Sequence, residues 1–203
     1  MVVYFLDNDI IIKFSAYNLF WPSMKTWGID DPSIRVLPTA SRYIERASSI
    51  QAQYDRATRN RACQVTNKSE KASASPASLE YQDLLGIIGI DQGEAVLISA
   101  TEQESDFFIA TADKKCLRAL ANSGMTATLN RLQHRIICLE QLLIRLIQKS
   151  TDFEKIYRRI NTAVECEFSV TEAFKLSNKT AVIQRLQEEV DHLRNDTGNL
   201  LVL

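Results

Sequence analysis

Residues 2–14 read Val-Val-Tyr-Phe-Leu-Asp-Asn-Asp-Ile-Ile-Ile-Lys-Phe. Val2 to Leu6 is a short, unbroken apolar run rich in β-branched and aromatic side chains. That is how a strand buried on both faces reads. Asp7-Asn8-Asp9 ends the run. Apolar residues resume at Ile10, and Asp9 suits the N-cap of a helix over about 10–20. Strand, acidic turn and helix open an α/β fold, so a parallel β-sheet flanked by helices is expected.

Downstream segments extend the pattern. Phe107-Phe108-Ile109-Ala110-Thr111 predicts a second strand, ended by Ala112-Asp113 and followed by a helix over 114–121. Asn122-Ser123-Gly124 stops that helix, with Gly suited to a left-handed position. Arg135 to Leu139 reads as a third strand leading into a helix that runs to about 149. Leu79 to Ile88 predicts a short helix. Asp91-Gln92-Gly93-Glu94 is a turn with the form of a capping box, opening a helix over about 92–103.

Between 21 and 65 the pattern is helical in pieces, broken at Pro22, Gly28, Pro32 and Pro38. Residues 35–71 hold eight basic residues against three acids, a local balance of +5 in a chain whose net charge is −1. Residues 66–78 are small and polar and read as a loop. Ile183, Leu186, Val190 and Leu193 mark an amphipathic helix in a tail without strand patterns. The chain is therefore read as a domain over 1–149, with a basic helical insert at about 15–80, and a helical appendage over 150–203. Packing of the tail stripe on its own domain is the default, with dimerisation or a partner protein as the other use.

Composition excludes several classes. The 203 residues are 45% hydrophobic and 24% charged, as in an ordinary globular protein. No apolar run reaches the 18 or so residues that a transmembrane helix needs. The N-terminus has no basic region and acids arrive at residue 7, so it does not read as a signal peptide. Cys63, Cys116, Cys138 and Cys166 are widely spaced, and the only histidines are His134 and His192. A zinc site is not expected from that spacing. Reduced thiols in a cytoplasm are the simplest reading.

Three acids stand at element ends: Asp7 after the first strand, Glu94 in the first turn of a helix, and Asp113 after the second strand. In a parallel sheet the strand carboxyl ends share one edge, where ligands bind. Carboxylates meeting there repel unless a cation neutralises them, and hard oxygen donors favour Mg²⁺ or Mn²⁺. Such a site suits phosphodiester hydrolysis. Each acid also has a local reading as a helix cap.

Taken in order, these segments resemble the PIN-domain nucleases. Val3 to Asp9 is similar to that family's opening strand and first acid, Gly93-Glu94-Ala95 to its central helix start, and Ile109 to Lys115 to its strand ending in Thr-x-Asp. The resemblance covers about residues 1–15 and 80–140. It implies a Mg²⁺- or Mn²⁺-dependent ribonuclease whose metal-binding acids are Asp7, Glu94 and Asp113. The family often has Asn two residues after the first acid. Here it is Asp9, read as a fourth ligand or a cap.

Lys114, Lys115 and Arg118 follow Asp113, and 114 and 118 share a helix face. They are candidates for holding substrate phosphates, as are Arg42 and Arg46 in the basic segment, with Tyr43 and Tyr54 available to stack bases. Trp21 and Trp27 read as core or interface residues. RNA is the expected partner, with a protein inhibitor of the antitoxin kind also conceivable from the family. Two alternatives compete: a PIN-like scaffold that binds RNA or protein without cutting, and a haloacid-dehalogenase-type phosphatase using Asp7-x-Asp9.

Overall fold

The computed structural model describes all residues from Met1 to Leu203. In chain order the elements are β1 (Val3–Leu6), α1 (Asn8–Ala16), α2 (Phe20–Thr26), β2 (Ile34–Val36), α3 (Ala40–Arg46), α4 (Ser48–Gln53), α5 (Arg56–Lys68) and β3 (Glu70–Lys71). They continue with α6 (Leu79–Leu85), α7 (Gln92–Ala100), β4 (Phe107–Thr111), α8 (Lys114–Ala121), α9 (Thr126–Arg131), β5 (Ile136–Cys138), α10 (Leu139–Lys149), α11 (Phe153–Asn161), α12 (Phe168–Phe174) and α13 (Lys179–Thr197).

The five strands form one parallel sheet in the order β3-β2-β1-β4-β5, flanked by helices. The fold is α/β, as the opening strand and acidic turn imply. Leu6 pairs with Val36 on one side and Ala110 on the other, and Thr111 pairs with Cys138. The chain leaves β1 towards β2 and β3, then crosses back to β4 on β1's other side. That reversal parts the loops at the carboxyl ends of β1 and β4 and creates a crevice there.

Local chemistry explains the element ends. The apolar runs of β1, β4 and β5 are buried almost throughout, as expected of strands covered on both faces. α1 stops at Ala16, short of the expected residue 20. Asn18 takes a left-handed φ of 53°, and the N–H groups of Asn18 and Leu19 donate to the carbonyls of Ser15 and Phe14 at 3.1 and 2.9 Å. This Schellman closure satisfies the last carbonyls of the helix.

Two strands were not expected. β2 and β3 interrupt a region that reads as helix and loop, because three- and two-residue strands carry no periodicity of their own. Their pairing with β1 and with each other defines them, and the cross-strand ion pair Arg35 Nη2–Glu70 Oε2 at 2.8 Å ties them. Thr66–Lys68 completes α5, so within the expected loop only Ser69 and residues 72–78 lack regular structure.

Residues 150–203 share the core of the rest. Val182, Leu186, Val190 and Leu193 of α13 are buried, chiefly against α10. Beyond α13 the chain runs beside β5. His134 and Arg135 N–H donate to the Asn199 and Leu200 carbonyls, and Val202 N–H donates to Ile136 O at 2.9 Å. No helix is long and apolar enough to cross a membrane.

Candidate active site

Asp7, Asp9, Asp91, Glu94 and Asp113 line one cavity of about 360 Å³, together with Asn8, Thr39 and Tyr43. It lies at the carboxyl edge of β1 and β4, at the topological switch. The three acids singled out from the sequence are thus brought together, and Asp9 joins them.

Asp7 occupies the N-cap position of α1, but its carboxylate does not cap the helix. Asp9, expected as the cap, lies inside the first turn. The Asp7 carboxylate turns to β4, where Thr111 Oγ1 donates to Oδ2 at 3.1 Å. The same hydroxyl accepts the N–H of Asp113 at 3.0 Å. Burial, and then the neighbouring Asp9 charge, push Asp7 up from 3.8 to about 7, against the pull of the Thr111 bond.

Glu94 belongs to a closed capping box. Its Oε2 accepts the Asp91 N–H at 2.7 Å, and its own N–H donates to Asp91 Oδ1 at 2.8 Å. Burial, with the charges of Asp113 and Asp91, raises its carboxyl from 4.5 to about 8 despite that bond. Asp113 caps α8, with Oδ1 accepting the Cys116 N–H at 2.7 Å. The local cap readings of Glu94 and Asp113 are therefore correct, and both residues also face the cavity. The sequence marks Asp91 only as a cap, because its place three residues before Glu94 fully accounts for it locally.

The donor set is chemically suited to a hard divalent cation. Every donor is oxygen, and the Asn8 Oδ1 atom is buried without a hydrogen-bond partner. Burial first, and then repulsion between neighbouring acids, raises Asp7 and Glu94, and a cation would relieve the repulsion. No three acids, histidines or cysteines stand close enough to form a ready-made cage, however. Glu94 and Asp113 each spend one carboxylate oxygen on a capping bond.

The expected phosphate-binding residues divide. Lys115 is exposed on α8. Arg118 is half exposed and pairs with Asp196 at 2.7 Å. Arg42 and Arg46 are exposed on α3, where Arg46 lies 4.0 Å from Glu45. Lys114 is committed elsewhere. Its Nζ lies 2.6 Å from Glu140 Oε1, 3.2 Å from Ser169 Oγ and 3.4 Å from Glu189 Oε2. It joins α8 to α10, α12 and α13 and does not face the acidic cavity's lining. Lys13 forms a parallel bridge, 3.1 Å from Asp9 and 2.8 Å from Glu167. Burial opposes both ammonium charges, and the surrounding carboxylates overcome it, so both lysines hold their protons more tightly than usual.

The aromatic expectations also divide. Tyr43 is 42% exposed and stands on the cavity wall. Tyr54 is buried near Tyr17 and Cys166 and offers no face to a ligand. Trp27 packs under the Arg145 guanidinium, 4.6 Å from the ring centroid. All four cysteines are free.

No model of a known protein family, no curated protein and no solved structure matches this chain. The functional reading therefore rests on the cavity and the residues that line it.

Proposed function

We propose that the chain is a metal-dependent ribonuclease of the PIN-domain type. The observation that carries this reading is the convergence of Asp7, Asp9, Asp91, Glu94 and Asp113 on one cavity at the sheet's switch point. Five carboxylates from three chain segments are costly to hold together unless they share a cation. Asp7, Glu94 and Asp113 would hold Mg²⁺ or Mn²⁺, with Asp9 at the margin. Bound there, the ion supplies activation of water and neutralises charge on the leaving oxygen of a phosphodiester.

The chain's own residues do the rest. Thr111 fixes the orientation of Asp7 and, through the Asp113 N–H, the start of α8. Lys115, exposed two residues after Asp113, would offer a cation to a substrate phosphate, whereas Arg118 is tied to Asp196 of α13. Tyr43 offers a ring against which a base stacks. Arg42, on the same helix as Tyr43, extends that track. Four free thiols suit a reducing cytoplasm. A protein inhibitor or a second copy of the chain would need a surface other than the α13 stripe, which is buried.

A second reading has one observation in its favour. Glu94 and Asp113 are both tied up as caps and no cation cage is preformed, which suits a scaffold that binds RNA without cutting it. Incubation of labelled single-stranded RNA with and without Mn²⁺, beside Asp7→Asn, separates the two. Cleavage that needs the metal and is lost in the variant supports the nuclease. RNA binding without cleavage, unchanged in the variant, supports the scaffold and sinks the nuclease.

A further inference from the structure

A second cavity, of about 240 Å³, opens between α1, α2 and α5. Its wall includes Ser15, Asn18, Trp21, Arg61, Gln64 and Lys68. It lies at the far end of α1 from Asp7, about 12 Å along the helix at 1.5 Å per residue. It is therefore separate from the acidic cavity, and none of the residues above has a role there.

Its electrostatics are the reverse of the first cavity. Arg61 is half-buried and has no carboxylate partner. Its Nε donates to the Ser15 carbonyl at 2.9 Å and its Nη2 to Thr58 Oγ1 at 3.0 Å. These two bonds pin the guanidinium and leave Nη1 uncommitted. Asp55, at the head of the same helix, is held by the Thr58 N–H and does not pair with Arg61. Lys68 is exposed two turns further along α5 and makes no ion pair. Asp55 balances part of the Arg61 charge from beyond Thr58, but no carboxylate touches the pinned guanidinium, and an anion at its free Nη1 would gain a charge-assisted hydrogen bond.

The remaining lining adds recognition elements. Trp21 is half-buried, with Phe20 set edge-on at 4.9 Å behind it, which fixes the indole plane. Asn18 is locked in the left-handed closure of α1, and Gln64 is exposed; each brings a donor and an acceptor. Two cations, an anchored indole face and two unpaired amides match a phosphate joined to an aromatic heterocycle. The volume falls just below the roughly 300–1000 Å³ of pockets that enclose drug-sized ligands. One nucleotide, partly outside the mouth, suits it.

We propose that this cavity binds a nucleoside monophosphate unit, with the phosphate on Arg61 and Lys68 and the base against Trp21. The unit is either a free nucleotide or one residue of an RNA strand. The proposal does not depend on hydrolysis at the acidic cavity.

Tryptophan fluorescence tests it directly, because Trp21 and Trp27 are the only tryptophans. The full chain is titrated in EDTA with adenosine 5′-monophosphate, with inorganic phosphate, and with a short single-stranded RNA. Saturable quenching is expected, absent in Trp21→Phe and competed by inorganic phosphate. Lys68→Gln, a substitution at an exposed side chain without partners, weakens it about tenfold, as expected for a charged hydrogen bond. Arg61→Met weakens it further, and circular dichroism checks that this variant folds. Quenching by the mononucleotide identifies a free nucleotide as sufficient; quenching by the RNA alone assigns the unit to the strand. Absence of quenching by either ligand, or quenching unmoved by Lys68→Gln and Arg61→Met, overturns the proposal. Repeating the titration with Asp7→Asn keeps the two sites distinct. Nucleotide binding persists there even if RNA cleavage is lost or was never present.

Discussion

Thr111 Oγ1 donates to Asp7 Oδ2 at 3.1 Å, across a sheet pairing that joins residues 104 apart in the chain. The same oxygen accepts the Asp113 N–H. One hydroxyl therefore sets the relative positions of the first and last acids of the cavity. In Thr111→Val the carboxylate loses this bond, which lowers the Asp7 pKa, so its affinity for a proton rises further. Cleavage of RNA should fall at least tenfold at pH 7, and stability by about 1–2 kcal/mol. Thr111→Ser should retain most of both. Cleavage rates and urea melts of the three proteins check this.

Asp7 and Glu94 make the metal-free protein sensitive to pH in a defined direction. Both carboxyls are raised, Asp7 to about 7 and Glu94 to about 8, by burial first and then by neighbouring acids. The folded chain thus binds these protons more tightly than the unfolded chain. Their stabilising contribution is full below about pH 4 and is lost as pH rises through about 7–8. Asp7→Asn removes one such loss, so it should be more stable than the parent at pH 8, by about 1–2 kcal/mol, and show little gain at pH 4. Equal stabilities at pH 8 in EDTA would contradict the assignment.

A divalent cation should act on the same balance. Mn²⁺ at about a hundredfold over its dissociation constant adds roughly 2.7 kcal/mol to the stability of the parent. For a chain of this size that is a rise of several degrees in Tm. The rise should vanish in Asp7→Asn. A calorimetric scan with and without Mn²⁺ reads it without any assay of RNA cleavage.

Lys114 is expected to matter for stability more than for RNA. Its ammonium bridges Glu140, which is 1% exposed and has one carboxylate oxygen without a partner. Lys114→Met leaves that buried charge uncompensated and should cost about 3–5 kcal/mol. Replacing both partners by apolar residues should recover much of the loss. If Lys114→Met instead unfolds like the parent in urea while RNA affinity drops, the lysine belongs to the substrate and the buried bridge is unimportant.

Gly93 lies where the capping box meets the segment after β2. A Cβ there would stand 2.9 Å from Leu37 Cδ1 and 3.3 Å from Asp91 Oδ1. In Gly93→Ala the Leu37 side-chain end must turn aside, a cost that the better helix propensity of Ala offsets in part, so stability should change by no more than about 1 kcal/mol while the Asp91–Glu94 box is loosened. Thermal melts measure the first effect, and the strength of Mn²⁺ stabilisation the second.

The parts of this molecule that can be read from its sequence are those whose causes are local. β1 and β4 are legible because burial on both faces demands an apolar run. The starts of α7 and α8 are legible because Asp91 and Asp113 are capping residues. The convergence of Asp7, Glu94 and Asp113 followed from the rule that parallel strands share a carboxyl edge. β2 and β3 were not legible, because Ile34–Val36 and Glu70–Lys71 are strands only by virtue of the neighbours they pair with. The same reason hides the roles of Lys114 and Tyr54. A lysine after an acid and a tyrosine in a basic stretch read as ligand contacts until Glu140, Ser169 and Cys166, all far along the chain, are seen to surround them.

The central position of β1 has a consequence for how the molecule comes into being. The strand precedes one of its two neighbours, β4, by about a hundred residues. Loop-closure entropy must be met before that pairing returns any free energy, and such non-local pairing is slow. Until β4 docks, Asp7, Glu94 and Asp113 belong to unrelated stretches of chain. Whatever activity resides at this edge is therefore switched on by the completion of folding, and a nascent or partly folded chain carries none of it.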